Sequence, residues 1–298
     1  MAQLGAAAAD RAFVPFLRRV MVSALAAIGL VASAGIAGPR VAHADEIAPE
    51  LETLELREKA QAEAKRLVSD LAPNDRRRLV GVYVAFDANA ADPSAMVACD
   101  DDGDYVVVIT DAMLRLVSIV ARAQSDDESN GTHGIEDYAS FLALSQVPGR
   151  RLLPPPPGFY AVQEAGIAEE TRLREALSFV IARELTHFRA GDLACAHPTA
   201  THENGDDVWT ASEQRRALET AASVYPGRAT PRDEEATTRV LDAGRSEQGA
   251  LGLLSFFAQL EAERSARSRF MPTYLLQHPS SSARAAAVKA AATNHRGE

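Results

Sequence analysis

The sequence predicts an α+β protein, a small antiparallel sheet or hairpin packed on a mainly helical body. Three observations lead there. Runs rich in β-branched and aromatic residues cluster between Leu79 and Thr110. After Thr110, apolar residues recur at three- and four-residue spacing in one segment after another, the period of helices. The chain has 298 residues, 47% of them hydrophobic, which suits one globular domain of fair size. Strands first and helices afterwards is an α+β layout. No internal repeat is visible.

Residues 1–44 read as an export signal rather than as part of the fold. Arg11, Arg18 and Arg19 form a basic start, Val20 to Ala37 is an uncharged apolar run, and Ala42-His43-Ala44 is an A-x-A cleavage site. The run is nearly long enough to span a bilayer, so an uncleaved inner-membrane anchor is the alternative. The segment holds four Arg and one Asp, and its removal takes the net charge from -10 to -13. That acidic balance argues against nucleic acid as a partner. The expected location is therefore periplasmic or extracellular, with membrane contact only if the segment stays attached. Export also permits disulfides. Cys99 and Cys195 are the two cysteines, and either they bridge or they are two unrelated buried thiols.

Residues 45–298 form the expected domain. Pro49 to Ala72 is an amphipathic helix burying Leu56, Ala60, Ala64, Leu67 and Leu71, and Pro73-Asn74-Asp75 ends it. Leu79 to Phe86 is a strand. Ala95–Cys99 and Tyr105–Thr110 form a hairpin around Asp100-Asp101-Asp102-Gly103-Asp104. The glycine there is misplaced for a helix–loop–helix calcium site, so the acidic stretch reads as a solvated turn. Asp111 is the expected N-cap of a helix running to about Gln124. The region 125–166 reads as an insertion, with a polar loop, a short helix at Tyr138–Leu144 and the stiff run Pro154 to Pro157. Further helices follow over about Glu170–Ala190, Ser212–Val224, from near Pro231 to a stop at Gly244, Ser246–Arg264 and Ser280–Ala292.

The helix over Glu170–Ala190 holds the chemistry. Leu173, Ala176, Leu177, Val180, Ile181 and Phe188 make its apolar stripe, yet Arg183, Glu184 and His187 lie in or beside that stripe. Ionisable groups on a buried face are costly unless they pair or bind something. In H-E-x-x-H, two histidines one turn apart hold zinc and the glutamate activates a zinc-bound water. Here Arg183 stands at the first histidine position, and a guanidinium has no lone pair for a metal. No G-x-S-x-G elbow, P-loop or dinucleotide fingerprint occurs. Cys195 and His197 are too close in sequence for a usual nucleophile–base pair.

The order of these segments resembles the gluzincin metallopeptidase family of HtpX, the CAAX prenyl endopeptidases and BepA, from about Leu79 to Ala292. Asp87-Ala88-Asn89-Ala90 resembles that family's N-A-x-A stretch. Arg183-Glu184-Leu185-Thr186-His187 falls at its H-E-L-x-H, Asp233-Glu234-Glu235-Ala236-Thr237 at its E-x-E-A-D, and His278-Pro279 with Arg284 at its late H-P-x-x-x-x-R. The resemblance implies a zincin-like domain, with Glu184 at the general-base position, Arg183, His187 and Asp233 at the ligand positions, and Thr237 at the position of a carboxylate that orients the first ligand. Both the first histidine and that carboxylate are replaced, so the resemblance implies a site that has lost zinc, with Glu184 vestigial. On this reading Arg183 stands in for the cation and pairs with Asp233 or Glu184.

Three functions follow. The first is a pseudopeptidase that binds a protein or peptide partner in the cell envelope and takes no cofactor. The second is a working zinc metalloendopeptidase with rearranged ligands drawn from His187, Asp233 or Glu234, and His197 or His202. The third is a non-catalytic structural protein of the envelope.

Overall fold

The computed structural model describes residues 44–79, 82–100, 104–161, 166–193, 229–263, 270–278 and 280–297. In chain order the helices and strands are α1 (Ala44–Ser69), α2 (Pro73–Arg78), β1 (Tyr83–Asp87), β2 (Ala95–Cys99), β3 (Tyr105–Thr110), α3 (Asp111–Asn130), α4 (Gly134–Ser145), α5 (Ile167–Arg189), α6 (Ala229–Asp242), α7 (Gln248–Ala262), α8 (Thr273–Gln277) and α9 (Ser281–Gly297). The α+β layout holds: the chain is mainly helical, with one small sheet. The helix expected over Ser212–Val224 lies outside the described residues. Among those described, no helix is long and apolar enough to cross a membrane.

The sheet is mixed rather than antiparallel. β2 and β3 form the expected hairpin, antiparallel with Ala95 opposite Ile109 and Cys99 opposite Tyr105. β1 joins on the other side of β3 and runs parallel to it, giving the order β1-β3-β2. β3 takes the centre because Tyr105-Val106-Val107-Val108-Ile109-Thr110 is close to a continuous apolar run, the composition of a strand covered on both faces. β1 is half-exposed along its length and suits an edge. Where β3 passes into α3, the N-cap is Thr110 and not Asp111. Thr110 Oγ1 accepts from Met113 N at 3.1 Å. Asp111 is instead held by Arg57 of α1, through Nε at 2.8 Å and Nη2 at 2.6 Å.

α5 runs through the middle of the body and packs against α3, α6, α7, β2 and β3. A single buried stripe was expected, but every residue from Glu175 to Phe188 is buried. A helix surrounded on all sides has no solvent face, so its polar groups must find partners inside. Ser178 Oγ donates to Glu63 of α1 at 2.9 Å. Glu175 accepts from Arg172 and from the backbone N of Gly249 in α7. At Gly249 the α5 and α7 backbones nearly touch, since a Cβ there would stand 2.5 Å from Ala176 N and 2.6 Å from Arg172 O.

In its described part the stretch 125–166 packs into the body. α3 continues to Asn130, and α4 packs against α3 and α7 with Tyr138, Ala139 and Leu142 fully buried. Tyr138 begins a row of rings that continues through Phe256, Phe257 and Tyr274 to His278, with successive centroids 4.6–5.8 Å apart. The apolar packing of α4 thus reaches the polar cluster described next.

Candidate functional site

Four elements bring their polar side chains together in the interior. α5 supplies Arg183 and Glu184, α6 supplies Asp233, α8 supplies Tyr274 with His278 directly after it, and α9 supplies Arg284. All six are completely buried. Arg183 donates from Nε to Asp233 Oδ1 at 3.1 Å and from Nη1 to Glu184 Oε1 at 2.9 Å. Its two terminal nitrogens also face the His278 ring, Nη1 at 3.0 Å from Nε2 and Nη2 at 2.9 Å from Nδ1. Arg284 grips Asp233 from the other side, Nε to Oδ2 at 2.7 Å and Nη2 to Oδ1 at 2.9 Å, and Nη2 also donates to Tyr274 Oη at 3.0 Å.

The charges balance. Two guanidinium groups face two carboxylates, with no water-exposed atom among them to screen the attraction. Burial works against the charged form of both arginines, but neighbouring groups outweigh it: Glu184 and Asp233 for Arg183, Tyr274 and Asp233 for Arg284. Both arginines are held more firmly protonated than usual. His278 moves the other way. Burial first, then the charges of Arg183 and Arg284, press its pKa well below the ordinary value and keep the ring neutral. A neutral imidazole has one acceptor nitrogen. One contact from Arg183 is therefore a hydrogen bond, and the other brings two donors close.

His187 is buried too, but it reaches a different partner. Its Nδ1 lies 2.9 Å from Asp192 Oδ2, and Asp192 is in turn held by Arg232 through two contacts at 2.7 and 3.0 Å. Burial, helped by the nearby charge of Arg183, lowers its pKa to about 3, and the Asp192 contact opposes this only in part. Burial would raise the Asp192 carboxyl, yet Arg232 and His187 outweigh it and bring it down to about 2. Thr237, one turn on from Asp233 in α6, spends its hydroxyl on Asp233 O at 2.7 Å.

The donor set does not fit the zinc site that the resemblance implies. Arg183 has no lone pair to give. Both oxygens of Asp233 already accept from guanidinium groups, and Thr237 offers no carboxylate. Of the rearranged ligand set, Glu234 is exposed, and His197 and His202 lie outside the described residues. Among the described residues, no three His, Cys, Asp or Glu side chains are grouped as metal ligands. Cys99 ends β2, there is no free cysteine among the described residues, and Cys195 lies outside them.

The structure brings together Arg183, Glu184 and Asp233: of the two partners expected as alternatives for Arg183, both are in contact with it. It adds His278 and Arg284, which the sequence offered only through a resembling motif. It also adds Tyr274, for which the sequence carried no signal. No family model matches the chain, and no curated protein or solved structure matches it.

Proposed function

We propose that this chain is an exported pseudopeptidase, a zincin-like protein in which the guanidinium of Arg183 has taken over the electrostatic place of the metal, and which binds a protein or peptide partner in the cell envelope without cutting it. One observation carries the reading. The guanidinium lies among Glu184, Asp233 and His278, and with Arg284 it already neutralises both carboxylates. A divalent ion added to that set would leave two uncompensated positive charges in a water-free interior, which is costly.

Glu184 is the residue that hydrolysis would need as a base. On this reading it accepts from Arg183, and no metal is held there to activate a water for it. Its carboxylate serves the interior ion network, and partner binding falls to the surface.

The test is the metal content of the purified protein after refolding with zinc and dialysis. No retained metal is expected. Near-stoichiometric zinc that disappears in His187→Ala would overturn the reading and would favour a peptidase with rearranged ligands.

A further inference from the structure

The turn between α4 and the proline run carries an unused charge and an unused apolar face. Leu144, in the last turn of α4, is 76% exposed, and Val147 just beyond it is 58% exposed. Pro148, Gly149, Arg150 and Arg151 follow and are exposed as well. Neither Arg150 nor Arg151 makes a side-chain hydrogen bond or ion pair among the described residues. Other arginines among the described residues are engaged, whether on the surface, as Arg174 is with Glu170 and Arg296 with Glu247, or in the interior, as Arg183 and Arg284 are.

The turn is held in shape from within. The buried Gln146 side chain donates from Nε2 to the carbonyl oxygens of Val147 at 3.0 Å and Arg150 at 2.9 Å, and its Oε1 accepts from Leu153 N at 2.9 Å. Arg150 N donates to Val147 O at 3.1 Å, and Gly149 turns the chain with a φ of 74°. The returning chain is anchored by Leu152 N on Ala90 O and by Tyr138 Oη donating to Leu153 O. A Cβ at Gly149 would meet nothing within 4 Å, so the tip stands clear of the body.

We infer that this tip docks on an anionic lipid surface, with Leu144 and Val147 entering the headgroup boundary and Arg150 and Arg151 facing lipid phosphates. Charge decides for an anionic partner, since the tip carries the two unpaired guanidinium groups and no Asp or Glu occurs between Tyr138 and Pro157. Shape decides for a membrane. Only two large apolar side chains are exposed here, Leu144 and Val147, against the roughly 20–30 residues per side of a stable protein interface. A few inserted apolar groups beside basic residues are enough for reversible binding to anionic lipid. The inference is independent of the buried cluster and of the pseudopeptidase reading.

The test places a reporter on the tip of the full chain. Val147→Trp is made together with Trp209→Phe, so that the single indole reports from the turn. Vesicles containing phosphatidylglycerol should shift its emission to the blue, and vesicles of neutral phosphatidylcholine should not. Adding R150E and R151E should raise the lipid needed for half the shift by about tenfold or more. Both arginines are exposed, so an unchanged melting temperature will show that the reversed chain still folds. Any membrane binding through the N-terminal segment is common to both chains, and the local reporter does not read it. No shift on anionic vesicles, an equal shift on neutral ones, or no response to the charge reversal would overturn the inference. So would a shift produced by soluble polyglutamate and not by vesicles, which would mark an acidic protein as the partner.

Discussion

Replacing Arg183 by methionine is the sharpest test of the interior cluster. Methionine keeps much of the arginine stem and removes the charge. Asp233 would remain compensated, because Arg284 grips both of its oxygens at 2.7 and 2.9 Å. Glu184 is the group that suffers: it loses the guanidinium at 2.9 Å, and the buried set goes from neutral to a net single negative charge. Removing one partner of a buried pair typically costs about 3–5 kcal/mol. At about 2–4 °C per kcal/mol for a protein of this size, Arg183→Met should melt about 6–20 °C below wild type. Urea unfolding at pH 7 gives the free energy directly. The partner variant separates charge from packing. With Glu184→Met added to Arg183→Met, no unpaired charge remains at Glu184, and most of the loss should be recovered, with a coupling of about 2–3 kcal/mol in the double-mutant cycle. An Arg183→Met protein within about 1 kcal/mol of wild type would refute the account of Arg183 as the interior cation. So would a double variant whose loss equals the sum of the two singles.

Other outcomes follow from the same geometry. His187 has a pKa lowered from 6.5 to about 3, and His278 is also held well below 6.5. Below pH 6.5 the unfolded chain takes up protons that the folded chain refuses, so stability falls as the pH drops, by on the order of 2 kcal/mol for His187 between pH 7 and pH 5, and His278 adds to the fall in the same direction. Urea midpoints at pH 7, 6 and 5 measure this, and His278→Asn should flatten the profile; a profile already flat in the wild type would contradict the burial of neutral rings. Gly249→Ala should cost about 3 kcal/mol, because the new methyl meets the α5 backbone. Gly252→Ala should cost less, because it meets the end of the Gln124 side chain, which can move. Thermal melts of the two variants rank them, and the reverse order would be a contradiction. A bridge between Cys99 and Cys195 would leave no titratable thiol in denatured, unreduced protein and two after reduction. In the chain-entropy model its loss costs about 4–5 kcal/mol. Two thiols before reduction would rule the bridge out.

Local patterns carried most of the layout. The apolar spacing of Leu56, Ala60, Ala64, Leu67 and Leu71 marks the buried face of α1, and the β-branched runs mark the hairpin, because periodicity is written in the chain itself. Arg183 and Glu184 also stood out locally, as ionisable groups on an apolar stripe. The tertiary structure decided what local patterns do not encode. That β1 pairs with β3, and in the parallel direction, is a matter of pairing between distant segments. α5 is buried all round because five other elements pack against it. Asp233, Tyr274, His278 and Arg284 meet the Arg183 guanidinium only when α6, α8 and α9 fold back onto α5, up to 101 residues away in sequence between Arg183 and Arg284. What the sequence by itself determined was that buried charge needs a partner. Which partners answer, and that two arginines share one aspartate, was decided by packing, because the free energy of a buried charge depends on what three-dimensional neighbours replace its water.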